Sequence, residues 1–125
     1  MDMKLELVFV PVTDVDRARD FYVDKVGFNL DFDHTVREGL RFVQLTPPGS
    51  ACSIAFGIGL LDSEPSTIQC LQMVIEDADV AHKELSERGV DVSDVDDQPW
   101  GRFVRFTDPD GNGWALQQII RPNLG

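Results

Sequence analysis

Basic residues are scarce in this chain of 125 residues: 11 Lys and Arg stand against 22 Asp and Glu, a formal charge of -11. Phosphate backbones need a basic surface, so nucleic acid is excluded as an expected partner. Long apolar runs are also missing. None approaches the roughly 18–20 residues of a membrane span, and no membrane partner is expected. The opening MDMKLELVFVPV lacks a basic segment ahead of a long apolar core, so it does not read as a signal peptide, and a cytoplasmic location is expected. Cysteine is limited to Cys52 and Cys70, in apolar strand-like contexts and without CxxC spacing, which points to two buried thiols rather than a disulfide or structural zinc site. Histidine is limited to His34 and His82, so no Ser-His-Asp set can be assembled by motif.

Apolar residues make up 42% of the chain, enough for a packed interior. KLELVFVPV reads as a strand ending at Pro11. TDVDRARDFYVDKVGF follows as a helix, capped by Thr13 or Asp14, with Val15, Ala18, Phe21 and Tyr22 on one stripe and Gly27 as its stop. FNLDFDHTV alternates, with Phe28, Leu30 and Phe32 assigned to one face; GLRFVQL and ACSIAFGIG complete four strands. LLDSEPS breaks the pattern, and the order then repeats: TIQCLQMVI, the helix EDADVAHKELSERG, the short edge VDVSDV, GRFVRFT and GWALQQII.

The repeat is visible residue by residue. VTDVDRARDFYVDKVG lies over IEDADVAHKELSERG with one residue dropped, matching Asp14 to Asp77, Ala18 to Ala81 and Tyr22 to Leu85. Two βαβββ modules, 1–60 and 66–125 joined by a linker at 61–65, therefore form one α+β domain. A single module of this size buries too little surface to be stable alone. Joined, the modules predict a curved mixed sheet with a concave ligand cavity and helices on the opposite face.

DPDGNG, between the last two strands, begins like a calcium loop: Asp108, Asp110, Asn112 and Gly113 match positions one, three, five and six. The match fails at position twelve, where Ile119 replaces the bidentate Glu, and strands rather than helices flank the loop. A turn built on Pro109, Asp108 and glycine is expected instead.

The stretches PVTDVDRARDFYVDKVGF and RFTDPDGNGWALQ, set in duplicated βαβββ order, resemble the vicinal oxygen chelate superfamily of glyoxalases, extradiol dioxygenases and bleomycin-resistance proteins. The resemblance covers nearly the whole chain. It implies metal ligands on the first, fourth, fifth and eighth strands. Those positions fall on Leu7, near Cys70 and on Ala115, while ACSIAFGIG contains no Asp, Glu or His. Leucine and alanine offer no donor atoms, so no metal and no cofactor are expected.

Strand alternation places Leu7, Phe9, Cys70, Gln72, Ala115 and Gln117 on the cavity side as candidate ligand contacts; a plain core role is the competing reading for Leu7 and Phe9, and backbone pairing at the sheet edge for Gln117. Trp100 is expected at the cavity mouth, and Gly101 is expected to let backbone approach a ligand. Arg102 and Arg105, three apart in a strand, point to opposite faces; Arg102 is counted with the cavity. His34 and Glu38 are weaker candidates, and the catalytic residues are unknown. The function expected is metal-independent binding of a small cationic or aromatic molecule, as in the bleomycin-resistance branch, by a homodimer. The alternative is a glyoxalase- or dioxygenase-like enzyme with a relocated or absent metal site, recruiting His34, Glu38 or Glu76.

Overall fold

The computed structural model describes residues 1–60, 67–68, 70 and 71–120. The expected linker at 61–65 lies outside them. The chain divides into two compact units, Met1–Thr67 and Ile68–Gly125, each with the same topology. In the first unit β1 (Leu7–Phe9), α1 (Val15–Asp20), β2 (Asn29–Arg37), β3 (Leu40–Thr46) and β4 (Ser53–Ile58) follow one another. In the second the order is β5 (Leu71–Ile75), α2 (Ala78–Glu87), β6 (Asp96–Gln98), β7 (Gly101–Thr107) and β8 (Gly113–Ile119). Each unit is a four-stranded mixed sheet, ordered β1-β4-β3-β2 and β5-β8-β7-β6, with its first and last strands parallel. This is the tandem βαβββ architecture expected from the repeat.

Both helices start at an aspartate. The Asp14 carboxylate accepts from the Arg17 N–H, and the Asp77 carboxylate accepts from Asp79 and Val80 N–H groups, pairing donors that a helix start leaves without partners. α1 runs on as a π-helical stretch, Phe21–Val26, and ends where Gly27 takes φ 93°, a left-handed conformation that suits glycine. The stripe of Val15, Ala18 and Tyr22 is buried. The Tyr22 ring stacks on Phe28 and lies 6.0 Å from Phe56 of β4, so Phe56, and with it Ile54, faces the helix.

That contact sets the two faces of the first sheet. Ile54, Phe56, Val43 and Leu45 face the helix; Leu7, Phe9, Ser53, Ala55, Gln44 and Phe42 face the other way. The second sheet divides similarly. Gln118 Oε1 accepts from the Ala78 N–H of α2, and Arg102 pairs with Asp79 of α2, placing both on the helix side. Gln72, Ala115, Gln117, Phe103 and Arg105 lie on the opposite, open side.

Two expectations are corrected. Leu30 and Phe32 do not share a face. A bulge at Asp31 shifts the register, so Leu30 pairs with Leu45 but Phe32 pairs with Gln44. The sixth strand does not form at VDVSDV. It forms at Asp96–Gln98, while Val90–Val95 runs alongside β7 with the Ser93 N–H donating to the Arg105 carbonyl.

The helix side of the first unit carries an ion network. Arg41 contacts Asp33 through two hydrogen bonds of 2.9 Å, and Arg19 adds a third at 2.7 Å. The Arg41 hydrogen bonds, then those of Arg19, hold the Asp33 carboxyl down at about 2 against an ordinary 3.8. A depressed carboxyl contributes stability above its unfolded pKa and loses it as pH falls through the folded value. Asp33→Asn is therefore expected to cost about 1 kcal/mol at pH 7, after allowance for solvent screening. The deficit should shrink between pH 4 and pH 2. Urea unfolding of both proteins across that range checks this, and a deficit that stays constant with pH would contradict it.

Candidate functional site

On the open face of the first sheet, the register lines up one residue from each strand: Phe9, Ala55, Gln44 and Phe32. Phe9 is 40% exposed and Phe32 is 59% exposed, while Ala55 between them is fully buried. Beside this row, Leu7 pairs with Ser53, and Thr46 lies across from Asn29. On the other side His34 pairs with Phe42, and Phe42 with Gly57.

Polar groups on this face form a chain. The Thr46 hydroxyl donates to the Asp31 carboxylate, lies 2.6 Å from the Ser53 hydroxyl, and the Gln44 Nε2 donates to Ser53 at 3.4 Å. The bulge explains how Asp31 takes part. With one extra residue in β2, two consecutive side chains, Asp31 and Phe32, serve the same face.

The equivalent row in the second sheet is Gln72, Ala115 and Arg105, and the row beside it is Val74, Gln117, Phe103 and Asp96. Gln72 Nε2 donates to Gln117 Oε1 at 2.9 Å. The Arg105 guanidinium lies 4.9 Å from the Phe103 ring centre and pairs with Asp96 at 3.1 Å. A cavity of about 540 Å³ opens beside Cys70, Arg105, Thr107 and Ala115.

Leu7, Phe9, Gln72, Ala115 and Gln117 thus lie on the open faces; the two thiols are not buried as expected, since Cys52 is half-buried and Cys70, ahead of β5, is exposed and borders the cavity. Arg102 does not lie on an open face. Its guanidinium sits on Asp79 at 2.8 Å and Asp97 at 2.6 Å, the first of which is held below the ordinary carboxylate range by Arg102. Arg105 takes the open side instead, as strand alternation requires of residues three apart. Gly101 leaves room for the Gln117 side chain: a Cβ there would stand 2.5 Å from Gln117 Nε2. Trp100 is exposed at the turn between β6 and β7, where its carbonyl accepts from Ile120.

His34 shares the open face with Phe42, but its acidic neighbours are engaged elsewhere. Asp33 faces the helix and its arginines, and Asp31 holds Thr46. Glu38 sits in the exposed turn after β2, and Glu76 is exposed after β5. Asp31, Phe32, Phe42, Gln44, Thr46 and Ser53 are absent from the sequence-derived set. Alternation in LRFVQLT was enough to group Phe42, Gln44 and Thr46; the bulge that brings Asp31 and Phe32 over them has no sequence marker.

The register also fixes the fourth-strand position of the family's metal site. Ala115 pairs with Gln72, two residues beyond Cys70, and Ala55 pairs with Phe9, two residues beyond Leu7. The four positions therefore hold Leu7, Ala55, Cys70 and Ala115. One thiol and three hydrocarbon side chains do not fit a divalent metal. Among the described residues, no three His, Cys, Asp or Glu side chains gather elsewhere.

Residues 4–116 match the family model of the Glyoxalase/Bleomycin resistance protein/Dioxygenase superfamily. Among solved structures, the chain is similar to TnmS3, an antibiotic binding protein from Streptomyces sp. CB03234, at 35% identity and TM-score 0.84, covering 95% of this chain and 98% of that one. A glyoxalase/bleomycin resistance protein from the same Streptomyces strain is 36% identical, with TM-score 0.79 and coverage of 92% and 100%. YetH of Bacillus subtilis strain 168 is 24% identical over 120 residues, 94% of this chain and all of that protein. With duplicated topology, matched register and a family model spanning most of its length, the chain belongs to the glyoxalase/bleomycin resistance protein/dioxygenase superfamily.

Proposed function

We propose that this protein binds a planar aromatic small molecule without a metal and without chemistry on it. The observation that carries this reading is the replacement of metal donors by Leu7, Ala55 and Ala115 on faces that present aromatic rings and neutral amides. Flat rings bind a flat ligand with large contact and little ordering cost, and amides orient its carbonyl or hydroxyl groups. Similarity to an antibiotic binding protein supports the same reading.

The acidic charge argues less for a cationic ligand than composition suggests. Asp16, Asp33, Asp79 and Asp97 are paired with arginines on the helix sides, and Asp96 is paired with Arg105. On the open faces, Asp96 is offset by Arg105, and the Asp31 carboxylate is held by the Thr46 hydroxyl. A panel of planar aromatic compounds, half neutral and half cationic, should raise the melting temperature for several neutral members, with little effect of added salt. Shifts restricted to cations and removed by salt would support electrostatic capture instead. A flat response across the panel would count against binding altogether.

Self-association is part of the proposal. The outer edge of β2 pairs with no strand among the described residues, and all nine of its residues are exposed. Light scattering coupled to size exclusion should give twice the chain mass; a monomer at all concentrations would refute the dimer.

A further inference from the structure

We propose that the open face of the first sheet is a ligand slot whose hydrogen-bonding polarity is set by Asp31. Phe9 and Phe32 form its walls and the Gln44 carbonyl oxygen its anchor; the slot selects a planar ligand with a hydrogen-bond donor on its edge. The assignment rests on the small-molecule reading above and gives that reading a place and a polarity.

The geometry of the slot follows from the register. Phe9, Ala55, Gln44 and Phe32 stand in one row across β1, β4, β3 and β2. Paired residues in register project to the same face. Three strand spacings separate the two phenylalanines, roughly 14 Å between their backbones. Ala55 lies beneath the row with its methyl group already covered, so a ligand meets the two exposed rings and Gln44 rather than Ala55. Both rings are exposed, in contrast to the buried aromatics Tyr22, Phe28 and Phe56 on the helix side.

The polarity follows from counting protons. An ionised carboxylate only accepts, so Thr46 must donate its single hydroxyl proton to Asp31. Thr46 can then only accept from Ser53, which lies 2.6 Å away and is 8% exposed. The Ser53 proton is thereby committed, so Ser53 can only accept from Gln44, whose Nε2 lies 3.4 Å away. Each link dictates the next. The Gln44 amide is turned with Nε2 toward Ser53, and its Oε1 is left for an acceptor role on the open face. An amide orientation is otherwise free to flip, and here the network decides it. Asp31 touches no ligand in this scheme; it is a positioning residue acting through two hydroxyl groups.

The test uses the full chain and two planar three-ring probes of similar shape, carbazole and acridine, both uncharged at pH 8. Carbazole carries an N–H donor on its edge and acridine a nitrogen acceptor. Fluorescence titration should show wild-type protein preferring carbazole by about tenfold, the scale of one hydrogen bond matched or mismatched in a partly buried site. With Asp31→Asn the chain can run in either direction, so the preference should collapse toward unity. Thr46→Val should do the same by cutting the chain, while Thr46→Ser should retain the preference. Phe32→Ala and Phe9→Ala should weaken both probes alike and leave their ratio intact.

Retention of the carbazole preference in both Asp31→Asn and Thr46→Val would overturn the polarity assignment. Failure of both probes to bind wild-type protein would overturn the slot, while the wider panel separately decides whether the protein binds small molecules at all. Phe32→Ala that alters oligomeric state and spares probe affinity would also overturn it, by making this face an interface between copies.

Discussion

Asn112→Ala is expected to lower the free energy of unfolding by about 3 kcal/mol, although the residue lies in a six-residue turn. Asn112 is fully buried. Its Oδ1 accepts from the Ile68 N–H at 2.8 Å, and its Nδ2 donates to Asp108 Oδ2 at 2.8 Å. The Gly113 N–H donates to the Ile68 carbonyl, so the turn ties the approach to β5 onto the start of β8. Truncation leaves the Ile68 donor and an Asp108 oxygen without these partners, and loss of a buried partner costs more than an average hydrogen bond contributes. Asn112→Asp should be worse at pH 7, because it sets a second carboxylate against Asp108. Acidification toward pH 4 should relieve part of that damage by restoring a donor. Urea unfolding at both pH values measures this, and a loss below about 1 kcal/mol for Asn112→Ala would mean the turn does not hold the sheet together.

The same hydrogen bonds favour a structural turn over the calcium resemblance. Asp108 Oδ1 already accepts from the Asp110 and Asn112 N–H groups, and Oδ2 accepts from the Asn112 amide. The carboxylate that would lead a calcium loop instead closes the turn. Millimolar calcium is accordingly expected to leave the melting temperature unchanged; a clear rise would contradict this assignment.

Tyr22→Ala is expected to cost about 4 kcal/mol, the larger of the two effects. The Tyr22 ring is fully buried, with centroids 5.4 Å from Phe28, 5.3 Å from Phe21 and 6.0 Å from Phe56. It joins the π-helical stretch, the entry to β2 and the centre of β4. Its main-chain carbonyl also accepts from the Gly27 and Phe28 N–H groups, which close the helix. Removing the ring leaves a cavity that three aromatic neighbours cannot fill without abandoning their packing. Tyr22→Phe keeps the ring and should cost well under half as much. If both variants unfold at the wild-type urea midpoint, the ring is not a keystone of this unit.

Much of the fold was legible in the sequence because it is written twice. The match of Asp14 to Asp77 and Ala18 to Ala81 marks the two helices, and both aspartates do cap them. Period-two alternation also placed Leu7, Phe9, Gln72, Ala115 and Gln117 on common faces. It was less useful where a strand is irregular. Leu30 and Phe32 look like one stripe, and only the bulge at Asp31 separates them. VDVSDV has the composition of a strand, yet pairing with β7 begins at Asp96. For Arg102 and Arg105 the spacing required opposite faces without saying which faced α2; the position of Asp79 on that helix decided it.

The sequence by itself determined the duplicated α+β architecture, the helix caps and the lack of donor side chains at Leu7, Cys70's neighbourhood and Ala115. These depend on local periodicity, on capping chemistry and on residue identity, which are present before the chain folds. Only the tertiary structure decided that Ala55 completes the emptied metal positions and that Phe9, Ala55, Gln44 and Phe32 form one row. It alone joined Asp31 to Gln44 through Thr46 and Ser53. Those facts depend on register between strands, and a shift of one residue exchanges the two faces of a strand.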